Sequence, residues 1–258
     1  MDDIVAKAAP EAEVAGPWRG LVPHGRLPEA LAQRIGVDIL KGVHPAGAVL
    51  PNEIDFSATL DISRSAFRET MRILAAKGMV ESRPKTGTRV TDRKRWNVLD
   101  PEVLRWMFEA GPNEAFILDL FELRLITEPA LAALAARRRT SAQVRTMETA
   151  LLVMAAETLD TERGRQADLD FHAALIEAAG NEALASLSSS IEAAIAWSTR
   201  YKISTGAFDR DSVPDHRAVC EAVAKGDENN ARWYMETLVR LALRDTLSSM
   251  EALRARGG

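Results

Sequence analysis

Apolar residues recur every three or four positions over most of the chain, which is the spacing of one face of an α-helix. In the first third this pattern predicts helices over 28–41, 53–60 and 64–77. The segment 79–90 differs, because two short strand-like stretches flank the basic turn 83–87, which predicts a β-hairpin. Three helices followed by a basic hairpin are typical of a winged helix-turn-helix.

From residue 100 onward the pattern is helical throughout. Glycine and proline residues divide it into helices near 101–110, 114–138, 141–158, 161–179, 181–204, 213–225 and 227–254. The sequence therefore predicts a mainly α fold: a winged helix-turn-helix with a small β-hairpin wing, then an all-α helical bundle. The expected bounds are a mobile tail over 1–20, a winged domain over 21–92, a linker over 93–100 and a helical domain over 101–254.

The composition is that of a globular protein that does not enter the membrane. Hydrophobic residues make up 47% of the chain and charged residues 27%, and no run of about 18 apolar residues is present. The first residues lack a basic stretch followed by an apolar run, so we expect no secretory signal. The one cysteine, Cys220, excludes an internal disulfide and a cysteine-rich zinc site. We therefore expect a cytoplasmic protein.

Charge is distributed unevenly along the chain. Residues 17–95 hold 14 Lys and Arg against 8 Asp and Glu, whereas residues 96–258 hold 18 against 25. A basic first third on an acidic remainder indicates either a domain that binds a polyanion or chance variation of the surface. Charge alone does not separate these two interpretations.

The predicted helix 64–77 carries candidate DNA-reading residues, namely three arginines at four-residue spacing and two serines at its start. They are Arg64, Arg68, Arg72, Ser63 and Ser65. Arginine can donate two hydrogen bonds to guanine in the major groove, and serine hydroxyls can reach phosphates or base edges. The hairpin tip adds Lys85, Thr86, Gly87 and Thr88. A solvated basic helix is the alternative, and the hairpin favours DNA binding.

Several ionisable residues of the helical domain share a helix face with apolar residues. They are Arg124, Asp168, His172 and His216. Burial of such groups is costly without partners, so as a set they indicate a shared polar cavity, although each alone is more often a core residue or an ion pair. An Asp and two His can bind a divalent metal, and an arginine can hold a carboxylate through two hydrogen bonds.

The order and spacing of four motifs resemble the GntR family of bacterial transcription factors. They are Gly42-Val43-His44-Pro45-Ala46-Gly47, Leu50-Pro51-Asn52-Glu53, Ser63-Arg64-Ser65-Ala66-Phe67-Arg68-Glu69 and Gly87-Thr88-Arg89-Val90. The helical remainder resembles the FCD domain, which is the effector domain of the FadR branch of that family. The resemblance covers roughly residues 25–250. It implies a regulator that binds operator DNA and a small-molecule effector and is not an enzyme. A homodimer would bind a pseudo-palindromic operator.

The resemblance assigns DNA contacts to the start of the helix and to the wing. They fall on Ser63, Arg64, Ser65, Arg68, Lys85, Thr86 and Gly87. The position that matches Ile54 is often polar in the family and touches the operator there. Isoleucine offers no such contact, so we expect this chain to lack it.

The resemblance also implies a metal site. Family members that bind metal use an Asp, a His four residues later, a second His on a later helix and a third His on the last helix. Asp168, His172 and His216 match the first three, and Leu238 occupies the fourth position. The prediction is one divalent metal such as zinc. The sequence leaves open whether the ion is absent or is held together with the oxygens of the effector.

The linker stretch from Arg95 to Trp106 is similar to that of galactonate-operon repressors within the family. Their effector is a sugar acid, bound in a pocket whose residues match Arg124, Asp168, His172 and His216. We therefore predict a repressor of sugar-acid catabolism genes that is released from its operator by a galactonate-like aldonate. The segment Trp96–Trp106 is a candidate coupler between the two halves.

Two other functions are compatible with some of the same residues. A metal-dependent hydrolase could use Asp168, His172 and His216 to activate water, but it needs no winged helix, and no obvious general base stands near them in sequence. An architectural DNA-binding protein with a vestigial pocket would show no ligand-dependent change in DNA affinity. Both rank below the regulator.

Overall fold

The structure is a computed structural model, and it divides into two compact units, Met1–Trp96 and Asn97–Gly258. It describes residues 27–52, 62–83, 86–111, 114–204 and 210–257. The division falls inside the predicted linker. The predicted tail, the helix predicted over 53–60 with Ile54, and the wing residue Lys85 lie outside the described residues.

The described part of the first unit contains two helices, a β-hairpin and a short 3-10 turn. They are α1 (Leu27–Leu40), α2 (Arg64–Ala76), β1 (Val80–Arg83), β2 (Gly87–Val90) and the turn Arg93–Arg95. The two strands pair antiparallel, with Val80 opposite Val90. Apolar residues spaced along each element, such as Ile35, Leu74 and Met79, fill the core between them. The predicted hairpin is therefore present, and its strands match the prediction to within one residue.

A third extended segment borders the hairpin. The backbone N–H of Gly47 donates to the carbonyl of Val90 at 2.9 Å, and that of Leu50 donates to Thr88 at 2.8 Å. The segment 47–50 therefore runs beside β2. The sequence did not predict this pairing, because proline and glycine in the preceding stretch indicate a break rather than a strand.

In its described residues the second unit is entirely helical. Its helices are α3 (Pro101–Ala110), α4 (Glu114–Arg138), α5 (Ser141–Glu157), α6 (Glu162–Ala179), α7 (Glu182–Ala185), α8 (Ser188–Ser204), α9 (Val213–Lys225) and α10 (Glu228–Gly257). The helix predicted over 181–204 is wrong as a single element. The chain leaves the helix after Ala185, where the hydroxyl of Ser186 donates to the carbonyl of Ala183 at 2.6 Å, as serine does at local turns.

Helix ends coincide with residues that cap them. The carboxylate of Asp100 accepts hydrogen bonds from the first backbone N–H groups of α3. Thr140 and Gln143 form a reciprocal capping box at the start of α5, and the hydroxyl of Thr161 caps α6. Such caps replace the helical hydrogen bonds that the first turn lacks. They explain why these helix starts agree closely with the prediction.

Helix packing places α4 and α6 at the centre of the bundle. The long helix α4 packs against α6, α9 and α10, while α6 also packs against α5 and α8. Leu131, Ile176 and Ile195 belong to the apolar cluster at one side of this contact. Because α4, α6, α8 and α9 converge, polar residues on their inward faces share one space. No helix in the described ranges is both long and apolar enough to cross a membrane.

The single cysteine lies in the interior of the second unit. Cys220 is on α9 and is 3% exposed. Burial, with smaller contributions from nearby carboxylates, raises the pKa of its thiol to about 11. The thiol therefore stays protonated at neutral pH and acts as a small apolar side chain.

Candidate functional site

The helix α2 presents its predicted DNA-contacting residues on one exposed surface. Its buried side is fixed by Phe67, Met71 and Leu74, which leaves Arg64 and Arg68 exposed. Ser63 precedes the helix, and its hydroxyl accepts a hydrogen bond from the backbone N–H of Ala66 and lies 3.0 Å from the hydroxyl of Ser65. One of the two serines is thus partly used in capping the helix.

The third arginine of the predicted stripe is held by a neighbour on its own helix. The Nε and Nη2 atoms of Arg72 donate to the two carboxylate oxygens of Glu69 at 2.8 and 2.6 Å. This ion pair lowers the pKa of Glu69, mainly through the hydrogen bond from Arg72. The sequence prediction treated Arg72 as available for DNA, whereas here its charge is balanced by Glu69.

The wing places small polar residues on its exposed side. Thr86 and Gly87 are exposed, and the hydroxyls of Ser82 and Thr88 lie 3.2 Å apart across the strands. Gly87 has a φ of +79°, a conformation that favours glycine. Thr86 and Gly87 carry no bulky side chain, which suits a close approach of these residues to a phosphate backbone.

Five helices of the second unit line a polar cavity, and α10 contributes Leu238 and Ala242. Arg124 comes from α4, Asp168 and His172 from α6, Lys202 from α8 and His216 from α9. Each of these side chains belongs to a residue that is at most 4% exposed. The cavity measures about 20 Å³, which is room for one ion or water molecule. The four residues predicted for effector binding all line it, and Leu238 lies in the same wall.

Three of the lining residues point potential metal-ligating atoms at one another. Asp168, His172 and His216 each offer one such atom, and these atoms lie within 4.8 Å of each other. The Oδ1 atom of Asp168 is 3.1 Å from Nε2 of His216 and 4.0 Å from Nε2 of His172. The imidazole rings meet edge to face, with centroids 5.4 Å apart. Both histidines thus turn the same ring nitrogen toward the carboxylate.

The Nδ1 atoms of the two histidines, on the other side of each ring, face oxygen atoms of the protein. Nδ1 of His216 lies 2.8 Å from the carbonyl oxygen of Ser212, which can only accept, so Nδ1 is the donor of this hydrogen bond. Nδ1 of His172 lies 3.3 Å from Oε2 of Glu128. A hydrogen-bonded carbonyl or carboxylate behind an imidazole fixes the ring for metal binding. The hydrogen bond to Ser212 therefore orients the ring of His216, while His172 is only within ion-pair distance of Glu128.

Burial and neighbouring charges shift the pKa values of Asp168 and His172 in opposite directions. Burial alone raises the pKa of Asp168, but His216 with His172 and Lys202 outweighs it and brings the pKa to about 2. Burial lowers the pKa of His172 to about 4, despite the opposing carboxylates of Glu128 and Asp168. At neutral pH the cluster therefore holds a carboxylate beside the neutral imidazole of His172.

The guanidinium of Arg124 is paired with a carboxylate on its own helix. Its Nε donates to Oε1 of Glu128 at 2.6 Å, and both side chains are almost fully buried. The other oxygen of Glu128 faces His172, so one carboxylate lies beside both Arg124 and His172. The sequence prediction missed Glu128, although its position four residues after Arg124 places both on one helix face.

Lys202 is the second residue that sequence reasoning missed. Burial lowers the pKa of its ammonium to about 8, while the charge of Asp168 opposes that shift. Lys202 follows Ile195 and Ser198 at seven and four residues, so a cation sits on the buried stripe of α8. That spacing is visible in the sequence. A lysine at such a position is usually expected at the surface, which is why the sequence alone does not single it out.

Known proteins resemble the chain in both units. Residues 27–90 match the bacterial regulatory proteins of the gntR family, and residues 119–241 match the FCD domain. The galactonate operon transcriptional repressor of Escherichia coli strain K12 is 31% identical over 213 residues, which cover 81% of this chain and 92% of the repressor. The chain belongs to the GntR family.

Two further proteins are similar to the chain. The Uxu operon transcriptional regulator of Escherichia coli strain K12 is 27% identical over 209 residues, which cover 76% of this chain and 77% of the regulator. The solved structure of Lar, which controls the expression of the Listeria monocytogenes agr system, has a TM-score of 0.59 at 16% identity. The match covers 86% of this chain and 97% of Lar. The similarity to Lar shows a common fold.

Membership of the GntR family confirms three predictions. The chain has the predicted mainly α fold with a winged helix-turn-helix, it is a DNA-binding transcriptional regulator, and it is not an enzyme. The FCD domain implies a small-molecule effector, and the Asp168–His172–His216 cluster could hold a metal ion. The domain bounds and the roles of individual residues stay predictions.

Proposed function

We propose that this GntR-family regulator is a homodimeric cytoplasmic repressor of sugar-acid catabolism genes, released from its operator by an aldonate such as galactonate. The observation that carries the proposal is the buried cavity in which Arg124 and the Asp168–His172–His216 cluster face one space. Relatives named for the galactonate and Uxu operons support the class of effector. A polyhydroxylated acid offers a carboxylate for a guanidinium and hydroxyls for the remaining groups.

The donor set of the cluster fits a divalent cation such as zinc. One carboxylate oxygen and two imidazole nitrogens are ligands that zinc and similar ions accept. Nε2 of His216 is buried and, among the described residues, has no hydrogen-bond partner, although it lies 3.1 Å from Asp168. An ion between these atoms would satisfy it. When bound, such an ion would attract the oxygens of an acidic effector.

The charges around the cavity support binding of an ion and an acid together. Three cations, Arg124, Lys202 and Arg210, face four carboxylates, Glu128, Asp168, Asp215 and Asp245, among the described residues that line the cavity or pair with its lining. A divalent cation held by the cluster would add positive charge beside these groups, which would favour binding of the carboxylate of an aldonate.

Effector binding requires the cavity to enlarge. A space of about 20 Å³ holds an ion or a water molecule, whereas a six-carbon acid is several times larger. The acid must therefore favour a rearranged helical domain. If that rearrangement also disfavours the operator-bound arrangement of the dimer, binding of the acid and binding of DNA oppose each other. The segment Trp96–Trp106 joins the two units and is the proposed coupler.

On the DNA side, α2 would enter the major groove and the wing would follow the backbone. We assign base or phosphate contacts to Ser63, Arg64, Ser65 and Arg68, and backbone contacts to Lys85, Thr86 and Gly87. The exposure of Arg64 and Arg68 and the absence of bulk at Gly87 support this assignment. Two copies related by two-fold symmetry would bind two half-sites.

Fluorescence anisotropy tests the proposal. The DNA upstream of the protein's own gene is titrated with protein at fixed salt, because phosphate contacts make affinity strongly salt-dependent. The titration is repeated with D-galactonate, D-gluconate and other aldonates, with and without Zn²⁺. We expect one acid to weaken DNA binding, and replacement of His216 by glutamine to abolish that response while DNA affinity without acid is retained.

Two results would contradict the proposal. Binding of operator DNA that no acid alters, with or without metal, would reject the effector class. Steady conversion of an acid to a product would restore the hydrolase hypothesis. Replacement of the exposed Arg240 by methionine serves as the control, because it removes a cation of the same domain outside the cavity.

A further inference from the structure

A second cavity of the helical domain adjoins the buried cavity described above. This outer cavity lies between α6 and α8 and measures about 100 Å³, which is room for several water molecules. Two residues, Asp168 on α6 and Thr199 on α8, line both the outer cavity and the smaller, inner one. The two cavities therefore meet at Asp168 and Thr199.

The lining of the outer cavity changes from exposed to buried residues. Glu162, Gln166 and Arg200 are exposed and form its rim. Asp168 and Thr199 are 4% and 5% exposed, so they form its floor. A molecule that enters from solvent at the rim thus reaches residues of the inner cavity at the floor. The outer cavity supplies space that the inner cavity, at about 20 Å³, lacks for a six-carbon acid.

The outer cavity combines polar groups with apolar surface. Nη2 of Arg165 donates to Glu162 at 2.7 Å, so the charges of these two lining residues compensate each other. The amide of Gln166 donates to Asp170 at 2.9 Å, and an amide can make up to four hydrogen bonds. The apolar surface comes from Leu169, Ala196 and Trp197. This mixture suits a hydroxylated carbon chain.

We infer that the outer cavity binds the hydroxylated carbon chain of the acid, whose carboxylate lies in the inner cavity. This inference rests on the proposed function, in which the inner cavity binds the acidic end of an effector. It makes α6 and α8 the two walls that distinguish acids by chain length. A six-carbon acid fills both cavities, whereas a three-carbon acid ends near the floor of the outer one.

A larger side chain at Ala196 fills the outer cavity while every predicted effector residue is kept. Ala196 is half-buried on α8 and is not among the described residues that line the inner cavity. Ala196→Leu should weaken binding of D-galactonate or D-gluconate by about 10- to 100-fold, because the carbon chain loses its space. D-glycerate, a three-carbon hydroxy acid, should bind this variant and the natural protein equally.

Two further variants provide a test of hydrogen bonding and a matched control. Gln166→Met keeps a side chain of similar length on the α6 wall but removes its amide. It should weaken binding of the six-carbon acid several-fold and leave D-glycerate unchanged. Ala193→Leu makes the same substitution as Ala196→Leu on the same helix. Ala193 is also half-buried, but it is not among the lining residues of either cavity, so acid binding should not change.

The experiment is a calorimetric titration of the full-length natural protein and the three variants. D-galactonate, D-gluconate and D-glycerate are titrated separately at one fixed concentration of Zn²⁺. Thermal melting, together with operator affinity in the absence of acid, reports whether each variant is folded. Because Gln166 is exposed, Gln166→Met should fold and can decide by the same comparison if Ala196→Leu does not.

Weaker binding of the six-carbon acid with unchanged binding of D-glycerate in Ala196→Leu, and no loss in Ala193→Leu, supports the inference. Equal losses for long and short acids overturn it, as does unchanged binding of the six-carbon acid. If D-glycerate binds too weakly to be measured, the comparison of Ala196→Leu with Ala193→Leu decides.

Two results for the natural protein separate the inference from the proposed function. If D-glycerate binds as tightly as the six-carbon acids, the outer cavity contributes nothing and the inference fails, while acid binding in the inner cavity stands. If the natural protein binds its operator but none of the acids, the proposed function fails and the inference fails with it.

Discussion

Arg124 and Glu128 form a buried ion pair whose strength depends on both members. Two charges in the interior are costly, and only their mutual contact offsets that cost. Glu128 also faces Nδ1 of His172, so the pair connects the guanidinium to the candidate metal cluster. Removing one member therefore leaves the other as an uncompensated buried charge.

We expect Glu128→Gln or Arg124→Met alone to lower the free energy of unfolding by about 3–5 kcal/mol. The double variant Arg124→Met/Glu128→Leu should lose less unfolding free energy than the two single variants together, because no unpaired buried charge remains. Urea unfolding followed by circular dichroism measures these differences. The exposed pair Arg240–Glu236 is the control, and its removal should cost at most about 0.5 kcal/mol. Equal losses for the buried and the exposed pairs would contradict the prediction.

Gly78 allows the turn Arg93–Arg95 to approach the backbone between α2 and β1 closely. It has a φ of +73°, and a Cβ atom there would lie 2.2 Å from the carbonyl oxygen of Arg95. The turn Arg93–Arg95 can therefore sit against α2 and β1 only because the side chain is absent. The indole of Trp96 then donates to Thr91, which anchors the end of this unit.

Gly78→Ala should destabilise the first unit by more than its left-handed backbone alone explains. Gly42 has a similar φ of +78°, and a Cβ atom there would meet nothing within 4 Å, so Gly42→Ala measures the backbone cost, about 1–2 kcal/mol. We expect Gly78→Ala to exceed that cost because the Arg95 carbonyl must move. Calorimetric unfolding of both variants tests this. Equal losses of unfolding free energy would show that the turn Arg93–Arg95 can move aside without cost.

At the scale of elements, the ion pair on α2 sets the charge that the helix offers to DNA. Glu69 neutralises Arg72 with two hydrogen bonds, and Arg64 and Arg68 lie on the exposed side of the helix start. A carboxylate on this helix also repels phosphate. We therefore expect the pair to limit DNA binding that does not depend on sequence.

Glu69→Gln should strengthen binding to random-sequence DNA and make the slope of log K against log salt steeper by about one, because Arg72 becomes available to a phosphate. Arg72→Gln should leave that slope nearly unchanged, since its charge is already balanced. Anisotropy at several salt concentrations measures both. A larger loss for Arg72→Gln than gain for Glu69→Gln would show that Arg72 contacts DNA in the natural protein.

Most helices could be predicted because their ends are marked locally. Caps such as Asp100 and Thr140 satisfy backbone groups whatever the rest of the chain does, so the sequence shows them directly. The pairing of 47–50 with β2 and the interruption at Ser186 were missed, since each depends on contacts or hydroxyl geometry that periodicity does not report.

The cavity was predictable only in part. Asp168 and His172 share a face of α6 by spacing alone, but their approach to His216 depends on how α6 and α9 pack. Glu128 and Lys202 were missed because an ionisable residue on a helix is usually solvated. Their burial follows from the convergence of α4, α6 and α8, which no single segment encodes.

At the scale of the whole molecule, the proposed homodimer would place two DNA-binding domains on two half-sites of the operator. A regulator with one winged helix per chain gains specificity by binding as a symmetric dimer. Because B-DNA turns once in about 10 base pairs, the spacing of half-sites fixes which face of the duplex each DNA-binding domain meets.

Inserting about 5 base pairs between the half-sites should therefore lower operator affinity to the level of random DNA, and inserting about 10 should restore part of it. Anisotropy with these operators, together with sedimentation of the free protein, tests the dimer. Equal affinity for all spacings would indicate that each chain binds independently.

The buried thiol of Cys220 separates this regulator from the redox state of its surroundings. A thiol that is enclosed and protonated reacts slowly with peroxide or alkylating reagents. The natural chain is therefore a ready background for site-specific labelling. A cysteine introduced at exposed Thr86 would be the one reactive thiol of the protein, and a dye attached there would report directly when the wing meets or leaves DNA.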